Sequence, residues 1–343
     1  MCNKWPSVIF PFYQRDFSCI LGGTVFGELL LTEKHERGKI MERKDFTIAS
    51  QFDGLEIKVV VMVPDTPIRG VVQFVHGMAE HKERYFDFMK YLAAAGFATV
   101  IHDHRGHGES LRSQEDLGFF YDTTGVAVVE DVHQIVLAVQ EQFPQKPYIL
   151  FGHSMGSLVA RCYAKKYDGY LDKLILCGSP SKNPFVAVAL WLTRQIEKKK
   201  GERHRSKLLH KLALEPYERV GEKGLSNSWL CCNREVVEEY NQNPLCGFNF
   251  TVNGYKNLFN LLKETYSSKG WNCEKPDLPI YFIAGAEDPV IGSQKVWQDA
   301  QGFMTKQGYT QVEGRLFDGL RHEILNEEDR SPIFSDLLKW IMS

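Results

Sequence analysis

A serine stands between two glycines at Gly152-His153-Ser154-Met155-Gly156. The residues before it, Tyr148-Ile149-Leu150-Phe151, read as a buried strand. Leu158, Val159, Cys162 and Tyr163 after it give the apolar face of a helix. Turning from strand to helix in so few residues forces the serine into strained backbone, and the two glycines remove side chains that would collide. The hydroxyl is raised at the carboxyl edge of a sheet. The helix start aims free N–H groups and the positive end of its dipole at any oxyanion that develops there. Ser154 is the candidate nucleophile.

A serine hydroxyl needs a base to react. In strand–turn–helix sites of this kind the order along the chain is serine, acid, histidine. Downstream, the apolar run 280–284 leads into Gly285-Ala286-Glu287-Asp288-Pro289-Val290. This loop lies past the end of a strand, where a parallel sheet carries its active-site residues. Asp288 is the candidate acid and Glu287 the alternative. Arg315-Leu316-Phe317 then leads into the loop holding His322, the candidate base. The chemistry expected is acyl transfer from an ester carbonyl, with an oxyanion held by two backbone N–H groups. One belongs to Met155, after the nucleophile. The other belongs to Met78, in the loop His76-Gly77-Met78 that follows the apolar run 71–75. The segment His102-Asp103-His104-Arg105-Gly106-His107 has the residue types of a metal site. Gly106 and Gly108 favour instead a tight loop whose polar groups satisfy the backbone and one another. No metal and no cofactor is expected.

These residues need a sheet to position them. Strand-like runs at 55–63, 70–76, 99–102, 148–151, 173–177, 279–284 and 315–317 alternate with helical stripes. Examples are Tyr85, Phe88, Met89 and Leu92, then Val129, Val132, Val136, Val139 and Phe143. Such alternation predicts an α/β fold with a mainly parallel sheet covered on both faces. It lapses over residues 181–250, which are helical, aromatic and charged and read as an inserted cap. The expected organisation is a first core part at 41–180, a cap or lid at 181–250 and a second core part at 251–343. Residues 1–40 read as an appendage of low order to a domain that starts near Met41, without the features of a secretory signal.

The chain has 343 residues, 41 basic and 43 acidic, a balance that gives no reason to expect nucleic acid as a partner. No apolar run approaches the length that spans a bilayer. Its eight cysteines lack CxxC spacing and read as reduced thiols of a cytoplasmic protein.

The motifs HGMAEHKERY (76–85), HDHRGHGES (102–110), GHSMGS (152–157), GAEDPV (285–290) and HEILNE (322–327) closely resemble the monoacylglycerol lipase and lysophospholipase branch of the α/β-hydrolases, also grouped with serine aminopeptidases. The cap segment WLCCNREVVEEYNQNPLCGFNFT (229–251) resembles bacterial members of that branch. The resemblance spans residues 41–343 and implies an eight-stranded sheet with one antiparallel strand, a lid over the serine, and glycerol- or glycerophospho-linked fatty acyl esters as substrates. Met78 stands where relatives often carry a smaller residue.

In the cap, Phe185, Val186, Val188, Ala189, Leu190, Trp191 and Ile196 make a strongly apolar helix followed by a basic run. It is read three ways: resting transiently on a membrane surface, roofing an acyl tunnel, or packing on the core. Phe185 and Trp191 are its candidate substrate contacts. An esterase of monoacyl lipids is the leading functional reading. An aminopeptidase-like amidase would need an acidic group near the site to hold a free amine. A non-catalytic ligand receptor on a hydrolase scaffold is the third reading. Epoxide hydrolases and dehalogenases of this fold use a carboxylate nucleophile, so Ser154 argues against them.

Overall fold

The computed structural model describes residues 41–343, so the expectation for residues 1–40 lies outside the described residues. The sheet has eight strands: β1 (Met41–Ala49), β2 (Glu56–Pro64), β3 (Gly70–Val75), β4 (Phe97–His102), β5 (Tyr148–His153), β6 (Lys173–Cys177), β7 (Ile280–Gly285) and β8 (Val312–Phe317). Their order across the sheet is β1-β2-β4-β3-β5-β6-β7-β8. β2 pairs antiparallel with both β1 and β4, and every pairing from β4 to β8 is parallel. The α/β class and the single reversed strand match the expectation from sequence.

Burial explains the strand composition. β3, β4, β5 and β7 are buried along their whole length, so they read as continuous apolar runs rather than alternating ones. Their side chains still alternate between two cores. Leu150 points into one cluster, with Val128, Val132, Leu158 and Val159; Ile149 and Phe151 point into the other, with Phe88, Leu92, Phe334 and Leu337. The first face is covered by α2 (Val126–Gln142), α3 (Met155–Tyr167), α7 (Val252–Thr265) and α8 (Gln294–Lys306), the second by α1 (Phe86–Ala94) and α9 (Ser331–Met342).

Between β6 and β7 come α4 (Val186–Lys200), α5 (Lys207–Glu218), α6 (Arg234–Gln242) and then α7. The first three lie in the segment that the sequence reads as an inserted cap. α5, α6 and the loops beside them carry a smaller apolar cluster, Trp229, Leu230, Cys231, Val237, Tyr240 and Cys246, which reaches Val290 in the loop after β7. Among the described residues, no helix is long and apolar enough to cross a membrane.

Candidate active site

Ser154 has φ 51° and ψ −121°, in the left-handed half of backbone space that a residue with a Cβ avoids. The surrounding bonds impose this conformation. The Ser154 N–H donates to the Cys177 carbonyl of β6 (2.9 Å), and its own carbonyl accepts from the Ser157 N–H (2.9 Å) as α3 begins. A Cβ on Gly156 would stand 2.0 Å from the Val75 carbonyl oxygen, and one on Gly152 would stand 2.5 Å from that of Gly156. Helix α3 therefore crosses β3 and β5 closer than any other residue type permits.

Asp288, at the end of β7, and His322, in the loop after β8, are both buried. The His322 Nδ1–H donates to Asp288 Oδ2 at 2.8 Å. The other carboxylate oxygen, Oδ1, accepts the Val290 N–H at 2.8 Å. This fixes the imidazole tautomer and leaves Nε2 as the basic nitrogen. Burial disfavours the imidazolium, but the charge and hydrogen bond of Asp288 outweigh it and hold the His322 pKa above its ordinary value. Glu287, the alternative acid, is exposed. Ser154 and His322 line one cavity of about 980 Å³. Among the described residues no hydrogen bond joins the Ser154 hydroxyl to the imidazole; such bonds are loose in ligand-free sites and tighten on substrate.

The loop after β3 is held at almost every polar atom. The Gly77 N–H donates to Glu80 Oε1 (2.5 Å), and the Gly77 carbonyl accepts from His76 Nδ1 (2.8 Å). The Ala79 N–H donates to His107 Nε2 (3.3 Å), and its carbonyl accepts the Gly247 N–H (2.9 Å) and the Tyr240 hydroxyl (3.1 Å). Among the described residues the Met78 N–H has no acceptor. The Met155 N–H, first in α3, has none within its helix by geometry. Both residues line the cavity. His104 and His107 brace this loop: the His104 N–H donates to His76 Nε2 (3.0 Å), and His107 Nδ1 donates to the Arg105 carbonyl (3.1 Å). Among the described residues neither ring nitrogen of buried His102 has a partner, so the mutual satisfaction expected of this segment is incomplete. Burial drives the pKa of His102 down to about 3 and that of His107 to about 4, so both stay neutral.

Sequence reasoning missed a buried ion network below the cavity. Arg84 forks onto Glu323 (2.6 and 2.5 Å) and also reaches Glu80 Oε2 (2.8 Å). Burial alone would raise the Glu323 pKa, but attraction and hydrogen bonding to Arg84 hold it at about 2. Burial raises the Glu80 pKa despite Arg84. Glu80 sits in the Met78 loop and Glu323 beside His322, so one guanidinium ties the Met78 loop to the His322 loop. The available signal was the i,i+4 pair of Glu80 and Arg84 within HGMAEHKERY.

The cap contributes walls. Phe185 lines the cavity with Val188, Ala189 and Leu192 of α4, while Trp191 points to solvent, 60% exposed, and is absent from the lining. An all-apolar helix does not reveal which of its sides faces the ligand. Trp229, which was not singled out, lies at the cavity wall against His322.

The Hydrolase_4 family model, serine aminopeptidase S33, matches residues 66–329. A monoacylglycerol lipase of Mycolicibacterium smegmatis is 28% identical over 294 residues, 84% of this chain and 94% of that one. The phospholipase YtpA of Bacillus subtilis is 25% identical over 271 residues, 79% of this chain and 93% of that one. A solved thermostable carboxyl esterase from Bacillus coagulans aligns with a TM-score of 0.80 at 28% identity, covering 88% of this chain and 98% of that chain. The chain belongs to the serine aminopeptidase S33 family of α/β-hydrolases.

Proposed function

We propose that this hydrolase is a serine carboxylesterase of monoacyl lipids, monoacylglycerols or lysophospholipids, acting through Ser154, His322 and Asp288. The observation that carries the reading is a strained, cavity-facing serine beside a histidine whose tautomer is set by a buried carboxylate. As the Ser154 hydroxyl attacks the ester carbonyl, His322 Nε2 takes its proton. Asp288 stabilises the imidazolium, and the Met78 and Met155 N–H groups hold the oxyanion. His322 then returns the proton to the leaving alcohol. Water releases the fatty acid from the acyl-enzyme by the same route.

The lipid reading rests on the walls. Leu158, Leu192, Leu258, Phe259 and Leu262 give the cavity an apolar arm, and among the described residues no lysine or arginine lines it. Relatives named for monoacylglycerol and phospholipid cleavage support the same class. Residues 181–250 act as the lid. Phe185, Val188 and Leu212 line the cavity yet are at least half exposed, and the last turn of α4, the helix of Val188, carries Lys198, Lys199 and Lys200. That rim suits transient contact with a membrane surface by a cytoplasmic protein whose described cysteines are free thiols. A second reading, an amidase for substrates with a free amine, is favoured by Glu218, a cavity carboxylate paired with no cation.

The test is turnover of p-nitrophenyl esters of increasing chain length, 1-monoacylglycerol, lysophosphatidylcholine and an aminoacyl anilide, with Ser154→Ala as control. Ester turnover that rises with chain length and vanishes in the variant supports the proposal. Anilide turnover without ester turnover supports the amidase, and stable acylation without turnover supports a receptor.

A further inference from the structure

The cap reaches the base directly. The Trp229 ring centroid lies 5.4 Å from that of the His322 imidazole, tilted by 41°. Both side chains are buried. The indole is held at its far end: Trp229 Nε1–H donates to Glu218 Oε1 (2.9 Å), and Tyr217 packs on the ring at 5.2 Å. The backbone on either side is tied to the base loop. The Glu323 N–H donates to the Leu230 carbonyl (2.7 Å), and Arg321 donates to the Ser228 carbonyl (2.6 Å). A wall that only excluded water would not need an aromatic ring fixed against the one group that gains charge during the reaction.

We propose that Trp229 is a positioning residue for His322 whose π face stabilises the imidazolium formed when Ser154 is deprotonated. This rests on His322 acting as the base. As the Ser154 Oγ–carbonyl carbon bond forms, the hydroxyl proton moves to Nε2 and the ring becomes cationic. A cation within about 6 Å of an indole centroid is attracted to its negative face, more strongly when both are out of water. The attraction is absent while the imidazole is neutral, so it favours the transition state over the ground state. The other groups facing His322 are fixed. Asp288 is bonded to Nδ1, Glu323 is paired with Arg84, and Glu80 is held by Arg84 and Tyr85. His153, whose ring lies 4.7 Å away, is kept neutral by burial.

The test replaces Trp229 in the full chain by 4-fluoro-, 5,7-difluoro- and tetrafluorotryptophan, which keep its shape and withdraw π density, beside Trp229→Phe and Trp229→Leu. The acylation rate is read from the p-nitrophenolate burst, with KM and the pH profile. The expected result is a stepwise fall reaching about tenfold at the tetrafluoro ring, the scale of a desolvated cation–π contact. KM stays within twofold, and the acidic limb of the profile moves to lower pH. A rate flat across the fluorinated series overturns the proposal, whether or not Trp229→Leu is slow, because shape alone would then be the role. Labelling of Ser154 by a fluorophosphonate in the unaltered protein separates the two failures. Without labelling or turnover the serine-hydrolase reading itself falls; with both, a flat series removes only the role of Trp229.

Discussion

At the scale of single residues the site works by setting protonation states. The proposed mechanism needs His322 neutral, and the Asp288 carboxylate raises its pKa above the ordinary 6.5. The expected kcat/KM profile therefore climbs with pH through a midpoint above 6.5, the enzyme being inactive below it. Asp288→Asn removes the charge and leaves burial, which favours the neutral ring. Its midpoint should move below that of the unaltered protein. Its kcat should fall by about 10³–10⁴-fold, because the tautomer is no longer held. A stopped-flow pH series on both proteins checks the sign. The sequence singles out Ser154, Asp288 and His322 because each follows a strand and the glycines flag the turn, and the structure joins His322 to Asp288 and sets Ser154 and His322 on one cavity. Trp229 is not singled out: its contact with His322 joins positions far apart in sequence, and nothing local distinguishes it from a core tryptophan.

At the scale of elements, the strand-to-helix turn depends on backbone approach. With the Val75 carbonyl 2.0 Å from where a Cβ would stand, Gly156→Ala must push α3 off β3. A loss of at least about 3 kcal/mol is expected, since backbone cannot yield as a flexible side chain does. Urea denaturation measures it, as a lower midpoint with an unchanged slope. The ion network makes a second prediction. Arg84→Ala leaves Glu80 and Glu323 buried without their cation and should destabilise the protein by about 3–5 kcal/mol. Its residual activity should drop too, because the guanidinium joins the Met78 loop to the His322 loop. Strands β2 to β7 could be read from their apolar runs. Edge strand β8 was less visible: its residues are partly exposed, so only 315–317 stood out of Val312–Phe317. The sequence Ser331-Pro332 reads as a cap followed by proline at the first helical position. In α9 Ser331 is itself helical and Arg330 precedes it as the cap residue, so the proline falls one position later.

At the scale of the whole molecule, an α/β core supplies the reacting groups and the cap supplies the enclosure. The lapse in alternation after β6 coincides with helices α4 to α6, inserted between β6 and β7. The seating of this segment was hidden, because Gly247 and Leu230 hold the core through a backbone N–H and a backbone carbonyl, which leave no residue signature, and the Tyr240 hydroxyl bonds a backbone carbonyl far away in sequence. Among the described residues those lining the cavity lie between Gly77 and Glu323, and a chain beginning at Met41 is expected to keep both its ester turnover and its melting temperature within a few degrees. Loss of either assigns residues 1–40 a part in the fold. The most direct measurement of the central claim is intact-mass and peptide mass spectrometry after rapid quenching with a slowly hydrolysed long-chain p-nitrophenyl ester. The account predicts one acyl group per chain, on Ser154, appearing with the p-nitrophenolate burst and absent from Ser154→Ala. An acyl group on another residue, or undiminished turnover by Ser154→Ala, would contradict it.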